Sequence, residues 1–198
     1  MESSVKHSNI KAVAFDFDGV ITNLDVDWKA AIQLASKIAG YDVKSLITFY
    51  EVSWGTPVFQ KVSEEIEKTE VQAMKKAEPK PFIKGFLQTI SESNIQTYVV
   101  TMQSATAVNK FLELHDLEDC FKEIITREKC PNRKAQVRYI IEKLKIDPKE
   151  ILLVDDSERN ISICKELGIA CYHFSRHQNP NKTKKSWSQI SKIVKNPI

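Results

Sequence analysis

Short apolar runs separated by stretches of helical periodicity dominate the pattern of this chain. Ala12–Phe15 and residues 97–100, 151–154 and 169–174 are nearly all apolar, and 123–126 is a weaker fifth run. Runs of this length predict strands buried on both faces. Between them apolar residues recur every three or four positions. Ile83, Phe86, Leu87 and Ile90 form one such stripe, and Val137, Ile140, Ile141 and Leu144 another. Gly168 follows Leu167 and reads as a helix stop before the last strand. The alternation predicts an α/β fold, a Rossmann-like parallel sheet with helices on both faces.

One stretch departs from the alternation. Nearly sixty residues between the first strand and Pro79-Lys80-Pro81 contain no convincing strand. Their periodicity predicts helices over 27–39 (ending at Gly40), 43–54 and 57–77, with Thr56 as cap and Pro57 at the first helical position of the last. The proline pair cannot continue that helix and suits a return to the sheet. The expected organisation is therefore a core of 1–22 and 80–198, with a small helical cap of 23–79 inserted in the first crossover.

Composition narrows the chemistry. The 198 residues are 42% hydrophobic and 28% charged, an ordinary globular balance. Only five are glycine, and no two lie closer than 15 positions, which excludes a clustered dinucleotide fingerprint and a Walker-type loop. Net charge is +3, but six of the 29 cations fall at Arg176, Lys182, Lys184, Lys185, Lys192 and Lys195, with no acid after Glu166. The rest carries 23 cations against 26 acids, so the basic character belongs to a tail, 176–198. That tail is the sole support for a nucleic-acid partner. Trp187, Ile190, Ile193 and Val194 at helical spacing favour a solvated terminal helix instead. Cys120, Cys130, Cys164 and Cys171 have no metal-like spacing and suit a reduced, cytoplasmic chain. Residues 1–11 hold no apolar core for a signal peptide, and no run is long enough to span a bilayer. The sequence carries no signal of oligomeric state.

The candidate chemistry sits where strands end. Ala12–Phe15 runs into Asp16-Phe17-Asp18-Gly19, and 151–154 runs into Asp155-Asp156-Ser157. Residues 97–100 deliver Thr101, while Arg133-Lys134 opens the helix before the Asp155 strand. Strand C-terminal ends of an open parallel sheet meet at the crevice where ligands bind. Four carboxylates gathered there repel one another and raise their own pKa values. A hard cation relieves this; Mg²⁺ takes oxygen donors and is often completed by a substrate phosphate. One aspartate can then act as nucleophile and another as general acid, with Lys134 and Thr101 steadying phosphoryl oxygens.

These residues resemble the motifs of the haloacid dehalogenase superfamily, a group rich in phosphatases. Asp16-Phe17-Asp18-Gly19-Val20 resembles its first motif, Val99-Val100-Thr101 its second, Lys134 its third, and Leu153-Val154-Asp155-Asp156-Ser157 its fourth. The resemblance covers all but the first ten residues and the basic tail. It implies a phosphatase of the phosphoglycolate-phosphatase-like kind, with Asp16 as nucleophile forming an aspartyl-phosphate and Asp18 as general acid and base. It implies Mg²⁺ held by Asp16, the Asp18 carbonyl and Asp156, with Asp155 as ligand or support. The helical insert is similar to the family's cap over small phosphorylated metabolites, and Trp54-Gly55-Thr56 to its substrate-specificity loop; an ordinary helix–helix turn explains those three residues equally well. Met102 stands where many relatives have Asn, and Asn160 where some have Asp. The context of Lys134 also departs from the usual Lys-Pro, so Lys129 or Arg133 can fill the third-motif role. A sugar-phosphate mutase shares the same core and cap. A phospho-accepting or anion-binding regulatory protein also gathers acids, Thr and Lys at sheet ends, but receivers lack a helical insert.

Overall fold

The computed structural model describes residues 10–176 and 179–195. The first nine residues, on which most of the leader-peptide expectation rests, and the last three of the tail lie outside it. At its centre is one sheet of five strands. β1 (Ala12–Phe15), β2 (Gln96–Val100), β3 (Glu123–Ile125), β4 (Ile151–Asp155) and β5 (Ala170–His173) lie in the order β3-β2-β1-β4-β5 with every pairing parallel. The α/β architecture matches the sequence expectation, with strand edges displaced by a residue or two.

The apolar runs are continuous because both faces of the sheet are covered. Val13, Phe15, Val99, Leu152 and Val154 pack into one apolar cluster. The alternate residues Ala12, Ala14, Tyr98, Val100, Ile151 and Leu153 pack into the other. This is the period-two alternation of a strand buried twice. Phe15 stands opposite both Val99 and Val154, so β1, β2 and β4 finish level with one another. That register brings the residues that follow them to one edge.

Three helices fill the first crossover: α1 (Trp28–Ala39), α2 (Leu46–Ser53) and α3 (Pro57–Met74). Asp27 caps α1, whose end at Gly40 has φ 77°, and Thr56 caps α3 with Pro57 at its first position. α2 begins at Leu46 and not at 43, because the Ser45 side chain accepts the Thr48 N–H while the Val43 N–H is taken by Ser36 Oγ. α3 stops at Met74, short of 77, as the N–H groups of Lys76 and Ala77 both turn back to Ala73 O. The three helices share an apolar cluster that includes Ala35, Phe49, Tyr50, Val62 and Ile66 and is joined by Met102 from the core. The chain leaves and returns side by side: Thr22 Oγ1 donates to Glu78 O at 2.7 Å, and Lys80 N–H to Ile21 O at 2.8 Å.

The remaining helices are α4 (Ile83–Ser91), α5 (Ala105–Leu114), α6 (Arg133–Leu144), α7 (Glu158–Lys165) and α8 (Pro180–Lys195). The basic tail forms the expected terminal helix over 180–195, with its apolar stripe packed on the core. Within α8, Trp187, Ile190 and Val194 are buried, and the Trp187 ring stacks on Phe86 at 4.7 Å and lies 4.6 Å from Phe174. Its lysines cover the opposite, wet face. No helix among the described residues is long and apolar enough to cross a membrane. All four cysteines are unpaired.

Candidate active site

The ends of β1 and β4 bring Asp16, Asp155 and Asp156 together, each offering a carboxylate oxygen within 4.8 Å of the others. Asp16 continues the sheet, its N–H donating to Val154 O at 2.9 Å. The chain then turns sharply: Gly19 N–H donates to Thr22 O at 2.7 Å and Ile21 N–H to Phe17 O at 2.9 Å. Gly19 has φ 95°, and a Cβ there would lie 2.5 Å from Asp156 Cγ and 2.8 Å from Arg176 Nε. Only glycine combines that conformation with that approach.

The carboxylates differ in what holds them. Asp16 Oδ1 accepts from Phe17 N–H at 2.8 Å and from Arg133 Nη2 at 2.5 Å. Asp18 Oδ1 accepts from Leu24 N–H at 2.9 Å, and its Oδ2 from Arg176 Nη2 at 2.7 Å. Asp155 is fully buried; its Oδ1 accepts from Ser157 N–H at 2.8 Å, and the Asn160 side-chain amide lies 3.1 Å from both its oxygens. Asn160 is therefore more than an acid removed: it orients Asp155. Ser157 meanwhile caps α7, so capping and acid clustering share one tripeptide.

Burial raises the Asp16 pKa well above the usual carboxylate range, against the pull of Arg133 and with help from Asp155 and Asp156. Asp156 is raised too, by burial first, with Arg176 opposing and Asp155 and Asp18 adding to it. Such a set favours a positive charge in its midst. The donors are all hard carboxylate oxygens, which suits Mg²⁺ better than a softer ion. The site thus fits the ion by its donor chemistry, and the missing Cβ of Gly19 is what lets the Asp156 carboxylate approach.

One expected residue is displaced. Lys134 is exposed, whereas Arg133 is buried against Asp16, with Nε 2.8 Å from Asp155 Oδ2. The cause is the phase of α6. Asn132 caps it, and Arg133, Gln136, Val137 and Ile140 make its buried face, which leaves Lys134 one step outside. Lys129 is elsewhere, paired with Glu123 and over the Tyr139 ring. Burial opposes the charge of Arg133, but Asp16 and Asp155 outweigh it and raise its pKa further.

Thr101 follows β2, fully buried, its hydroxyl bonded to Gln103 and its carbonyl accepting from Gln136 Nε2 at 2.6 Å. Gln136 also receives a bond from Arg133 Nη1 at 2.8 Å, which links the β2 end to the acid cluster. A cavity of about 500 Å³ opens above, floored by Asp16, Asp18, Asp156 and Arg133 and walled by Trp28, Ile32, Leu46 and Tyr50 of the helical insert. The Tyr50 hydroxyl is buried at that wall with no hydrogen-bond partner among the described residues. Trp54, Gly55 and Thr56 do not line this cavity, which favours the ordinary helix–helix turn of the two readings. Trp54 Nε1 donates instead to Arg127 O at 2.8 Å, and Thr56 serves as the α3 cap. Among the cations near the acids that sequence reading did not single out are Arg176 and the buried Lys80, whose pKa is lowered by burial and by Arg176 while Asp18 and Asp156 oppose the shift.

Comparison with known proteins gives the family and the fold. Residues 13–174 match the family model described as haloacid dehalogenase-like hydrolase. The phosphoglycolate phosphatase of Vibrio cholerae is 24% identical over 191 residues, covering 84% of each chain. Among solved structures, a haloacid dehalogenase-like family hydrolase from Streptococcus pneumoniae superposes with a TM-score of 0.59 at 17% identity, covering 90% of this chain and 91% of that one. CbbY from Rhodobacter sphaeroides, solved in complex with phosphate, gives 0.57 at 17% identity over 86% and 90%. At these identities the structures speak to fold alone.

Proposed function

The chain belongs to the haloacid dehalogenase-like hydrolases, and from that premise we propose that it is a Mg²⁺-dependent phosphatase that hydrolyses a small phosphate monoester through an aspartyl-phosphate on Asp16. The observation that carries this reading is the level ending of β1 and β4, which gathers Asp16 and Asp155 around the buried Arg133 with Asp18 and Asp156 beside them on Arg176. The relatives named phosphoglycolate phosphatase support a small phosphorylated substrate.

The roles follow from the contacts. Asp16 Oδ1 is held by Phe17 N–H and Arg133, which leaves Oδ2 as the attacking oxygen. As Oδ2 bonds to phosphorus, the bond from phosphorus to the leaving oxygen breaks, and Asp18 gives that oxygen its proton. Asp18 then takes a proton from water, whose oxygen attacks the phosphoryl group, releases phosphate and restores the Asp16 carboxylate. Arg133 presents a fork of donors at the same spot, suited to phosphoryl oxygens as they gain charge. Asp16, the Asp18 carbonyl and Asp156, with Asp155 behind them, would hold Mg²⁺, which supplies charge neutralisation for the phosphate. Residues 23–79 serve as the cap that shields the cavity, with Tyr50 in its wall.

Phosphate release from an aryl phosphate tests this reading. Wild type should turn over in Mg²⁺ and stop in a chelator. In the same assay Arg133→Met should lose on the order of 10²-fold or more, as for removal of a donor to developing charge, while Lys134→Ala stays within about twofold. Turnover that persists without a divalent ion, or a Lys134 variant as damaged as the Arg133 one, would count against it.

A further inference from the structure

Arg176 begins the segment that the sequence presents as a basic tail, yet its guanidinium spans two of the four site carboxylates. Nη2 donates to Asp18 Oδ2 and Nε to Asp156 Oδ2, both at 2.7 Å. These acids come from different strand ends, so one side chain bridges β1 and β4 exactly where their negative charge converges. We propose that Arg176 is a tethered counter-ion that occupies Asp18 and Asp156 until a divalent cation displaces it, and so sets the metal affinity of the site. The proposal rests on the reading of the acid cluster as a cation site.

The two arginines of the cluster differ in a way that assigns the roles. Arg133 is 6% exposed and is fixed by Asp16, Asp155 and Gln136. Moving it would strand a buried charge and unpair a buried acid. Arg176 is 50% exposed, and its partners Asp18 and Asp156 are 10% and 15% exposed. On leaving, its own charge passes to water, and the acids it unpairs are the ones an incoming cation would neutralise. Arg176 is thus the cation of the pair that can yield.

Electrostatics and geometry give the displacement a consequence. A guanidinium bonded to Asp156 repels an incoming divalent ion, and that repulsion is strong in a partly dehydrated crevice. With Arg176 in place, both Asp18 oxygens are acceptors, Oδ1 from Leu24 N–H and Oδ2 from Arg176. Departure of Arg176 releases Asp18 Oδ2 and Asp156 Oδ2 together. The same movement would therefore open both carboxylates to an incoming cation. The seat of the arm depends on Gly19, since a Cβ at that position would lie 2.8 Å from Arg176 Nε.

The test is calorimetric titration of Mg²⁺ and Mn²⁺ into the full chain without substrate, alongside thermal melting with and without the ion. Arg176→Gln is expected to bind both ions at least about tenfold more tightly than wild type. It should melt lower than wild type in chelator and gain more from Mg²⁺, because the ion replaces a counter-charge the variant lacks. Arg176→Lys, which keeps the charge but loses the fork, should fall between the two. A half-exposed loop position makes these variants safe for folding. Equal or weaker binding by Arg176→Gln would overturn the proposal and leave the cation site standing, as the arginine would then organise Asp156 instead of competing for it. Absence of binding by either protein would remove the cation reading itself, and the proposal with it.

Discussion

Asp16→Asn is expected to lower phosphate release by at least about 10³-fold while leaving the fold intact. The loss is large because an amide oxygen is a poor nucleophile and carries no charge to place on phosphorus. The fold should persist because the substitution is isosteric. An Asn carbonyl can still accept from Phe17 N–H and from Arg133, the two bonds that Asp16 Oδ1 accepts now. Burial also raises the pKa of Asp16, so removal of its charge relieves a strained ionisation as well as weakening the Arg133 pair. Steady-state kinetics, with a melting curve as the control, checks both halves. A variant with a wild-type melt and more than a tenth of the wild-type rate would show that the attacking group lies elsewhere.

The second large effect concerns stability. Arg127, in the loop after β3, is fully buried and points into the helical insert. Its Nη1 donates to both oxygens of Glu70 at 2.7 and 2.8 Å and to Met102 O at 3.0 Å, and its Nε and Nη2 hold Ser63. Glu70 in turn accepts from Ser104 N–H at 3.1 Å, at the start of α5. One buried ion pair thus ties α3 to the ends of β2 and β3. Arg127→Met removes one partner and leaves a carboxylate in the interior, which costs about 3–5 kcal/mol. Denaturant unfolding should show this as a lower midpoint. The double variant Arg127→Met/Glu70→Leu should regain much of the loss, since apolar replacement of both partners is often close to neutral. A loss under about 1 kcal/mol in the single variant would mean that water reaches Glu70 and that the insert is loosely held.

How much of this was legible in the sequence depended on how local each cause was. β1 and β4 announce themselves because strands buried on both faces must be apolar throughout, and the acids stand out as the first polar residues after them. The caps at Asp27 and Thr56 are equally local. Arg133 was legible in principle: Val137 and Ile140 follow it by four and seven positions, which puts it on the buried face of α6 and Lys134 beside it. The family's preference for lysine pulled the assignment one residue too far. Asn160 could be placed near the acids but not recognised as a partner of Asp155, because one helical turn had to bring it back. Arg127 and Glu70 were beyond reach. They lie 57 positions apart, and each looks like a surface charge until the fold buries both. Arg176 was hidden for the same reason, since its neighbours Asp18 and Asp156 meet it only where the chain leaves β5. The turn at 54–56 shows the limit of chain position, which left a substrate contact and a plain helix–helix turn equally open; Trp54 faces Arg127 and the cavity wall is built by α1, Leu46 and Tyr50.

Trapping the covalent intermediate tests the central claim most directly. Asp18→Asn keeps the nucleophile and removes the acid and base, so with a good leaving group it should form the aspartyl-phosphate and discharge it slowly. After incubation with an aryl phosphate and Mg²⁺ and an acid quench, peptide mass spectrometry should place a phosphoryl group on Asp16, and Asp16→Asn should carry none. An active wild-type enzyme whose Asp18→Asn form carries no phosphoryl group on Asp16, or carries it on another residue, would contradict the account.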